Sequence, residues 1–454
     1  MSRSRLTRGD LLPEVRTEIP GPESRAACTL LRQNEAPGIN TLYRDRDTLV
    51  WDEALGANVL DLDGNRFLDF TSGFGVAALG HRPAEVVAAV QRQSQKLLHG
   101  LGDVAAHPTR VELAEQLLDL VPVDDPQVYF AVSGADAVEV AIKTARMSTG
   151  RRDLLVFDPS YHGLTLGALA ATSRPEFRDP FSEHLDRHRI RRPFGVDLEV
   201  LARDFAERSE GRQFAAALFE PIVGREGVLV PPEGWMRDLS ELCRRHGVLL
   251  IADEIFTGFG RTGMRFAVDH ESVRPDLLCC GKALGGGLPI AAVVGRRDVL
   301  ASWRSPGEAR HTGTFVAHPL ACAAALASLR VLEDRDLAAR ARQLGARIVE
   351  RSGSWVRWPW VSEVRGRGLL HGVELDHPDN AGRLMEGCWR RGLLVLAGGA
   401  RGRVAQIVPP LTVSEAQLDH GLDLFESVLG SLEPQDSEPN GIQQDRTTEV
   451  PARR

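Results

Sequence analysis

The sequence predicts an α/β protein in which a large, mostly parallel sheet lies between layers of helices, followed by a smaller α+β domain. Two observations support this fold class. Short apolar runs alternate with helical segments between about residues 109 and 300, which is typical of a parallel sheet covered on both faces. From about residue 319 the pattern changes to a long helical stretch, a strand-rich stretch and a closing helix. A chain of 454 residues is long enough for two such domains.

The predicted elements divide the chain into five segments. Residues 1–25 are polar and contain Pro20 and Pro22, which predicts a flexible arm. Residues 26–75 hold short strands at 49–51, 59–62 and 66–70, and are predicted to pack with the small domain. The large domain is predicted over 76–318 and the small domain over 319–432. The tail, 433–454, is rich in Gln, Asp, Glu and Pro and is predicted to be disordered.

The strands of the large domain are predicted from their apolar runs. The candidates are residues 127–131, 153–157, 215–219, 248–252 and 289–294. Pro83 is predicted to open a helix ahead of this sheet, and Ser414 to cap the last helix of the chain.

Composition excludes several classes of protein. A net charge of -7 and a pI near 6.0 give no sign of nucleic-acid binding. No apolar run reaches the roughly 20 residues that span a bilayer, so we expect no membrane association. The six cysteines are scattered and form no Cys-x-x-Cys pair, which predicts a cytoplasmic protein without a metal site.

One lysine stands out from the basic residues. The chain has three lysines, Lys96, Lys143 and Lys282, and its other basic residues are arginine. Lys282 lies in a Gly-rich turn. A lysine amine can lose its proton and form an imine with an aldehyde, which a guanidinium cannot do. The alternative is that Lys282 is a solvated loop residue.

A predicted buried strand ends in Asp253-Glu254, upstream of this lysine. Open α/β sheets place ligand-binding groups at such strand ends. The alternative is an aspartate that caps the following turn. An imine-forming lysine downstream of a strand-end carboxylate is a known pairing in pyridoxal phosphate (PLP) enzymes, where the carboxylate holds the proton on the pyridinium nitrogen.

Other segments could contact the phosphate and ring of a cofactor. Ser133, Gly134 and Ala135 leave backbone N–H groups open at a helix N-terminus, which forms an anion site, although many helices begin this way. The Tyr161-His162 pair offers rings that could lie on a cofactor, or could simply pack in the turn. Two further groups are Glu220, at a strand end, and Thr314, whose hydroxyl suits a phosphate.

Taken together, these stretches resemble the class III aminotransferases, also called the ω-aminotransferase or acetylornithine/4-aminobutyrate group, which belong to the fold-type-I PLP enzymes. The resemblance covers roughly residues 40–430. It is carried by residues 133–146, 161–163, 220–221, 253–263, 282–287, 314–315 and 319–324, in that order.

The resemblance assigns a role to each matching position. It implies a Schiff-base lysine at Lys282 and a ring-nitrogen partner at Asp253. It further implies backbone phosphate ligands at Gly134 and Ala135, a ring-stacking residue at Tyr161, a residue on the other ring face at Ile255, and a phosphate ligand from the neighbouring subunit at Thr314. It also implies a homodimer with its active site at the interface, and a large domain that binds PLP.

Several positions depart from the family pattern and bear on the substrate. The family commonly has Gln where this chain has Phe256, and members acting on 4-aminobutyrate have Arg where it has Leu164. Phe74 matches a position that lines the substrate pocket. Together with Leu164 it suggests a donor pocket more apolar than 4-aminobutyrate requires.

The carboxylate-binding positions differ as well. Many members pair a Glu with a C-terminal Arg, and these positions align with Arg225 and Gln406 in this chain. A neutral Gln cannot make the bidentate ion pair that binds the 2-oxoglutarate α-carboxylate. We hypothesise that Arg225 supplies the missing guanidinium from the other side, moving the carboxylate or selecting another acceptor.

The function predicted from the resemblance is transfer of an amino group from an amine or amino-acid donor to a keto-acid acceptor. Lys282 would hold PLP as a Schiff base and, once released, take the proton from the amine-bearing carbon. Two other reactions share the scaffold: amino-acid racemisation or epimerisation, and a dialkylglycine-type decarboxylation. A non-catalytic relative that binds a protein partner is a further alternative, disfavoured by the presence of both Lys282 and Asp253.

Overall fold

A computed structural model of the protein describes residues 6–37, 47–208 and 213–433. The predicted disordered tail lies outside these residues, apart from its first residue, Glu433. The α/β fold class is confirmed, with one seven-stranded sheet and two four-stranded sheets. None of the helices within the described ranges is both long and apolar enough to cross a membrane.

The N-terminal part forms one helix and an antiparallel three-strand unit. Its elements are α1 (Pro22–Asn34), β1 (Trp51–Leu55), β2 (Asn58–Asp61), β3 (Arg66–Asp69) and a short α2 (Ser72–Gly75). β2 pairs with both of its neighbours, and the turn between β2 and β3 contains Asp63 and Gly64.

Part of the N-terminal arm packs on this sheet. Of residues 1–25, those from Leu11 to Thr17 run along this small sheet. The Asn58 side chain accepts a hydrogen bond from the Leu11 N–H at 2.9 Å and returns one to the Leu11 carbonyl. The Asn65 side chain accepts from the Arg16 N–H at 2.7 Å. Two buried side-chain amides therefore bind the backbone of a segment in which no residue is fully buried.

The large sheet is built from the segment between α2 and residue 300. Its elements are α3 (Ala84–Ser94), α4 (Pro108–Leu120), β4 (Pro126–Ala131), α5 (Gly134–Thr149), β5 (Leu154–Asp158), α6 (Leu166–Ala171), α7 (Pro175–Arg178), β6 (Arg189–Pro193), α8 (Leu198–Ala206), β7 (Ala216–Phe219), α9 (Trp235–Arg245), β8 (Leu249–Asp253), β9 (Leu277–Cys280), β10 (Ala291–Arg296) and α10 (Arg297–Leu300).

The strand order in this sheet is β4-β10-β9-β8-β7-β5-β6. β10 is antiparallel to both of its neighbours, and the other strands run in one direction. Side chains of a strand alternate between the two faces: Leu155 and Phe157 pack in one apolar cluster, and Leu154 and Val156 in the other. Because both faces are covered, the central strands β5, β7, β8 and β9 are mostly apolar. Because these four strands are parallel, their carboxyl ends lie at one edge of the sheet.

The remaining elements form the small domain. They are α11 (Pro319–Asp334), α12 (Leu337–Ser352), β11 (Val361–Arg367), β12 (Leu370–Leu375), α13 (Pro378–Arg390), β13 (Leu393–Leu394), β14 (Leu396–Gly398), β15 (Val404–Ile407) and α14 (Glu415–Leu429). The strands β11-β12-β15-β14 form an antiparallel sheet. β13 instead pairs in parallel with β3, which adds a fourth strand to the N-terminal sheet.

A buried arginine joins the three parts of the molecule. Arg261 lies in the segment after β8 and is 2 % exposed. Its guanidinium donates to the carbonyls of Leu369, at 3.1 Å, and Pro409, at 2.5 Å, and to the Ser72 hydroxyl at 3.3 Å. Burial lowers the pKa of Arg261 to about 9, while the charge of Asp69 acts in the opposite sense.

We expect Arg261→Leu to destabilise the protein strongly. The substitution keeps an apolar stem but leaves buried carbonyls without donors, at a cost of about 3 to 5 kcal/mol in unfolding free energy. Urea unfolding followed by circular dichroism would measure it. Arg265→Leu is the matched control, because its ion pair with Glu333 is exposed and is worth about 0.5 kcal/mol. Equal midpoints for the two variants would contradict this role of Arg261.

Candidate active site

The candidate site lies at the carboxyl edge of the large sheet. Asp253 is the last residue of β8, Lys282 follows β9, and Glu220 follows β7. Because β7, β8 and β9 are adjacent and parallel, these three side chains come to the same edge. The turns after β4 and β5 reach this edge too, and they carry Ser133 to Ala135 and Tyr161 to Gly163.

Lys282 occupies a strained and partly enclosed position. Its φ is 44°, in the left-handed region that non-glycine residues rarely adopt, at the start of a tight Gly-rich turn. Burial lowers the pKa of its amine, the charges of Asp253 and Glu220 raise it, and the charge of Arg225 lowers it further. The result is an amine that releases its proton more readily than a solvated lysine.

Asp253 and His162 form a buried pair. The Asp253 Oδ2 and His162 Nδ1 atoms are 2.7 Å apart, and the two residues are 4 % and 2 % exposed. The Ile255 N–H donates to the other carboxylate oxygen at 3.2 Å. His162 Nε2 is buried and has no hydrogen-bond partner within the described chain. The carboxylate is therefore fixed in orientation while facing the same edge as Lys282.

Glu220 shapes the loops on either side of the site. Its carboxylate accepts from the N–H groups of Tyr161, at 2.8 Å, and Gly224, at 3.0 Å. Burial raises its pKa to about 7, and the nearby Asp253 charge raises it as well, against the opposing charge of His162. Glu220 thus binds the two loops that carry Tyr161 and Arg225.

The N-terminus of α5 provides the predicted anion site. The Ser133 hydroxyl accepts from the Asp136 N–H at 3.2 Å, which caps the helix. The N–H groups of Gly134 and Ala135 precede the first intrahelical bonds and have no acceptor in the described residues. A Cβ added at Gly134 would lie 2.9 Å from the Ile255 Cδ1 atom, so the absence of a side chain lets Ile255 approach this turn.

The turn after β5 packs onto the same helix start. Gly163 has a φ of 123°, and a Cβ added there would lie 2.5 Å from that of Ala135. Tyr161 is thereby brought beside the anion site. The guanidinium carbon of Arg225 lies 4.3 Å from the Tyr161 ring centroid and 5.3 Å from that of Phe177.

Phe256 is a contact that the sequence analysis did not assign to the site. Its ring lies between Gly75 and Gly224, where an added Cβ would come within 2.4 and 2.1 Å of ring atoms, respectively. The Lys282 Nζ atom is 4.5 Å from the centroid of the same ring. The sequence marked Phe256 as a departure from the family pattern, but nothing in it signals the two distant glycines that admit the ring.

Gln406, Phe74 and Thr314 are the remaining residues that were predicted to belong to the site. Gln406, on β15, donates to the Gly224 carbonyl at 3.0 Å and so lies beside the Arg225 loop. Phe74 has a φ of 60° and is 62 % exposed. Thr314 is exposed, and no contact with Lys282 or Asp253 is found for it in the described chain.

These groups suit PLP. The aldehyde of PLP needs an amine that can lose its proton, its ring nitrogen needs a fixed carboxylate, and its phosphate needs open N–H donors. Lys282, Asp253 and the start of α5 provide these three features at one edge, and Gly134 leaves the backbone open there.

Residues 42–429 match the family described as "Aminotransferase class-III". The chain belongs to the class III aminotransferases. Its function is therefore PLP-dependent amino-group transfer, as predicted, and the fold and cofactor predictions are confirmed. The family match spans both the large sheet and the small domain.

Several proteins are similar to this class III aminotransferase over most of their length. The acetylornithine aminotransferase of Methanopyrus kandleri is 40% identical over 393 residues, which are 85% of this chain and 94% of the relative. The leucine/methionine racemase of Thermococcus litoralis is 36% identical, over 84% of this chain and 90% of that protein. The solved ornithine aminotransferase of Toxoplasma gondii, described with PLP at partial occupancy, is 30% identical with a TM-score of 0.82, covering 89% of this chain and 94% of that one.

Proposed function

We propose that this aminotransferase holds PLP through Lys282 and moves an amino group from an amine or amino-acid donor to a 2-oxo acid. The observation that carries the proposal is the partly buried Lys282 amine at the same sheet edge as the Asp253–His162 pair. An amine with a lowered pKa is suited both to forming an imine and to taking a proton from carbon.

Each part of the cofactor has a proposed holder. Lys282 binds the aldehyde carbon, and Asp253 faces the ring nitrogen, oriented by His162. Tyr161 and Ile255 pack on the two faces of the ring, and the Gly134 and Ala135 N–H groups, with Ser133, bind the phosphate. When bound, PLP accepts the electron pair left on the substrate carbon after proton removal.

The remaining roles in the proposed reaction, which are to move the substrate proton and to hold the catalytic carboxylate in place, belong to the chain's own residues. The Lys282 Nζ atom would remove the proton from the amine-bearing carbon of the substrate and later deliver it. The Asp253 carboxylate is held in place by the His162 ring and by the Ile255 N–H, which donates to its other oxygen. Glu220 keeps the Tyr161 turn closed over the site through its backbone hydrogen bond.

A homodimer is part of the proposal. We define the apolar patch as Leu98, Leu101, Val104 and Phe315, which are 59 to 80 % exposed. A Cβ added at Gly102 would lie 2.8 Å from the Thr314 carbonyl, so the patch adjoins Thr314. An exposed patch of this kind favours a partner surface. Covering it with a second copy would let Thr314 reach the partner's phosphate site.

Polar contacts of His311 hold the loop that carries Thr314 against α5. The His311 Nε2 atom lies 2.8 Å from Asp136, on the first turn of α5, and Nδ1 lies 2.8 Å from the Lys143 amine. The loop that carries Thr314 is thus fixed to the helix whose start binds phosphate in its own subunit.

All six cysteines are unpaired, which supports a cytoplasmic location.

Racemisation is the second candidate, because one relative at 36% identity is described as a leucine/methionine racemase. The two reactions differ only in where the removed proton returns. A racemase returns it to the substrate carbon, whereas an aminotransferase delivers it to the cofactor and releases a carbonyl compound.

Absorbance of the PLP-loaded protein tests both candidates. Amines and amino acids are added singly without acceptor, and the visible band and the released carbonyl are followed. Bleaching of the band with release of an aldehyde or ketone, reversed by a 2-oxo acid, is the expected result. An amino acid that exchanges its α-proton with solvent without bleaching the band would favour racemisation. A protein that takes up no PLP would contradict the assignment of Lys282.

A further inference from the structure

Arg225 presents a guanidinium that is stacked but not paired. It follows β7 by six residues and is half-buried. Its guanidinium carbon lies over the Tyr161 ring at 4.3 Å and near the Phe177 ring at 5.3 Å. Within the described residues no carboxylate forms an ion pair with it, and its side chain makes no hydrogen bond there. The charge also acts on the pKa of Lys282, so it lies within electrostatic reach of the reacting amine.

Two other arginines in this part of the molecule already have hydrogen-bonding or ion-pair partners. Arg174 is paired with the buried carboxylate of Glu226, with its Nε atom 2.7 Å away, and also donates to the Gly399 carbonyl at 2.9 Å. Arg261 already donates hydrogen bonds to the carbonyls of Leu369 and Pro409 and to the Ser72 hydroxyl. Of these three guanidinium groups, that of Arg225 alone is free to receive an anion from solution.

The opposite wall offers no second charge. Gln406 stands beside the Arg225 loop, and its amide nitrogen donates to the Gly224 carbonyl. It therefore presents a neutral side chain whose donor is in use. A carboxylate bound here would meet one cation, not two.

The surroundings of this cation are apolar. Phe256 fills the space between Gly75 and Gly224, and Phe177 lies against both Tyr161 and Arg225. Phe74, on the loop that carries Gly75, is exposed. A substrate held through one carboxylate would place the rest of its carbon chain among these rings. The other guanidinium near Phe177, that of Arg174, is already paired with Glu226 and is not available to a second carboxylate.

We propose that Arg225 is the carboxylate receptor of this enzyme and that it selects 2-oxo acids with a single carboxylate and an apolar substituent. This inference rests on the proposed transamination and names the class of its acceptor. On binding, the planar guanidinium exchanges part of its ring contact for a bidentate ion pair with the carboxylate. A dicarboxylate such as 2-oxoglutarate leaves its second charge against rings and is disfavoured.

The test measures the acceptor half-reaction. The aminated form of the enzyme is mixed with 2-oxobutanoate or with 2-oxoglutarate, and the rate of cofactor reoxidation to the aldehyde form gives kcat and KM. We expect the wild type to prefer 2-oxobutanoate by at least about 10-fold in kcat/KM. Arg225→Gln should lower kcat/KM for 2-oxobutanoate by roughly 30- to 100-fold, mainly through KM, since it removes a charge-assisted bidentate contact. The kcat/KM of Arg225→Lys for 2-oxobutanoate should lie between those of the wild type and Arg225→Gln.

Controls separate binding of substrate from support of the fold. Arg244→Gln, which changes an exposed arginine on α9, should match the wild type. PLP affinity and the unfolding temperature of Arg225→Gln should stay close to those of the wild type, because the guanidinium makes ring contacts but no hydrogen bond or ion pair with the described residues. A loss of PLP binding or stability equal to the loss of activity would assign Arg225 a structural role and overturn the inference.

Two further outcomes would overturn it while leaving transamination in place. One is a wild type that uses 2-oxoglutarate as well as 2-oxobutanoate. The other is an Arg225→Gln variant within about threefold of the wild type on 2-oxobutanoate. Transfer to no 2-oxo acid at all would instead overturn the proposed function, and this inference with it.

Discussion

Lys282→Ala is expected to abolish amino-group transfer, with a fall in kcat of roughly 10⁴-fold or more, because in the proposed mechanism one side chain both holds the cofactor and moves the proton. Lys282→Arg should be equally inactive. Arginine keeps a cation in the turn, but its guanidinium neither forms the imine nor gives up its proton near neutral pH. Single-turnover mixing of PLP-loaded protein with a donor amine measures the loss.

The chain supplies a matched lysine control. Lys96 lies just after α3 and is exposed, so Lys96→Ala should keep wild-type turnover. The visible spectrum adds an independent readout, since PLP held without an imine absorbs as the free aldehyde. A Lys282→Ala protein that retained more than about 1% of wild-type kcat would show that another group moves the proton.

Asp253→Asn should produce the second largest effect, a fall in kcat of about 10²- to 10³-fold. The amide has the shape of the carboxylate and still accepts from the Ile255 N–H, but it carries no charge to hold a proton on the ring nitrogen. His162 also loses the anion that lies 2.7 Å from its Nδ1 atom. Steady-state kinetics at saturating PLP separates this loss from weaker cofactor binding.

Glu254→Gln is the control for this substitution. Glu254 follows Asp253 but is turned away, with its carboxylate bonded to the Thr257 hydroxyl and the Val268 N–H. Burial raises its pKa to about 7, so a neutral side chain is already close to the native state. We expect its kcat within about threefold of the wild type. An equal loss for both variants would mean that the strand end is structural rather than catalytic.

Sequence reasoning found five of the seven strands of the large sheet, since each of the five predicted apolar runs corresponds to a strand. Four of these strands are interior strands covered on both faces, which requires apolar side chains on both, and the fifth, β4, is a partly buried edge strand. β9 was missed although it is buried throughout, and β6 was missed because it is an edge strand with the sequence Arg-Ile-Arg-Arg-Pro. Its Arg189, Arg191 and Arg192 are paired with aspartates outside the strand, which no local pattern reveals.

Some residues of the candidate site could likewise be predicted from the sequence, and others could not. Residues at strand ends could be predicted, because strand direction brings neighbouring ends together whatever the rest of the chain does. The place of Phe256 between two glycines and that of Arg225 over Tyr161 could not be predicted, since each contact joins segments far apart in sequence. Only the folded chain shows that Arg174 rather than Arg225 pairs with Glu226.

The pairing of β3 with β13 has a consequence for how the chain is made. Ser72, just after β3, donates to the Val408 carbonyl, which lies 336 positions later in the sequence. At a synthesis rate of roughly 5 to 20 residues per second, the first strands wait on the order of 20 to 70 s for their partner to leave the ribosome. During that time Phe67 and Phe70, both fully covered in the finished protein, lack the C-terminal surface that buries them. The N-terminal sheet therefore cannot complete its burial until the small domain has been synthesised.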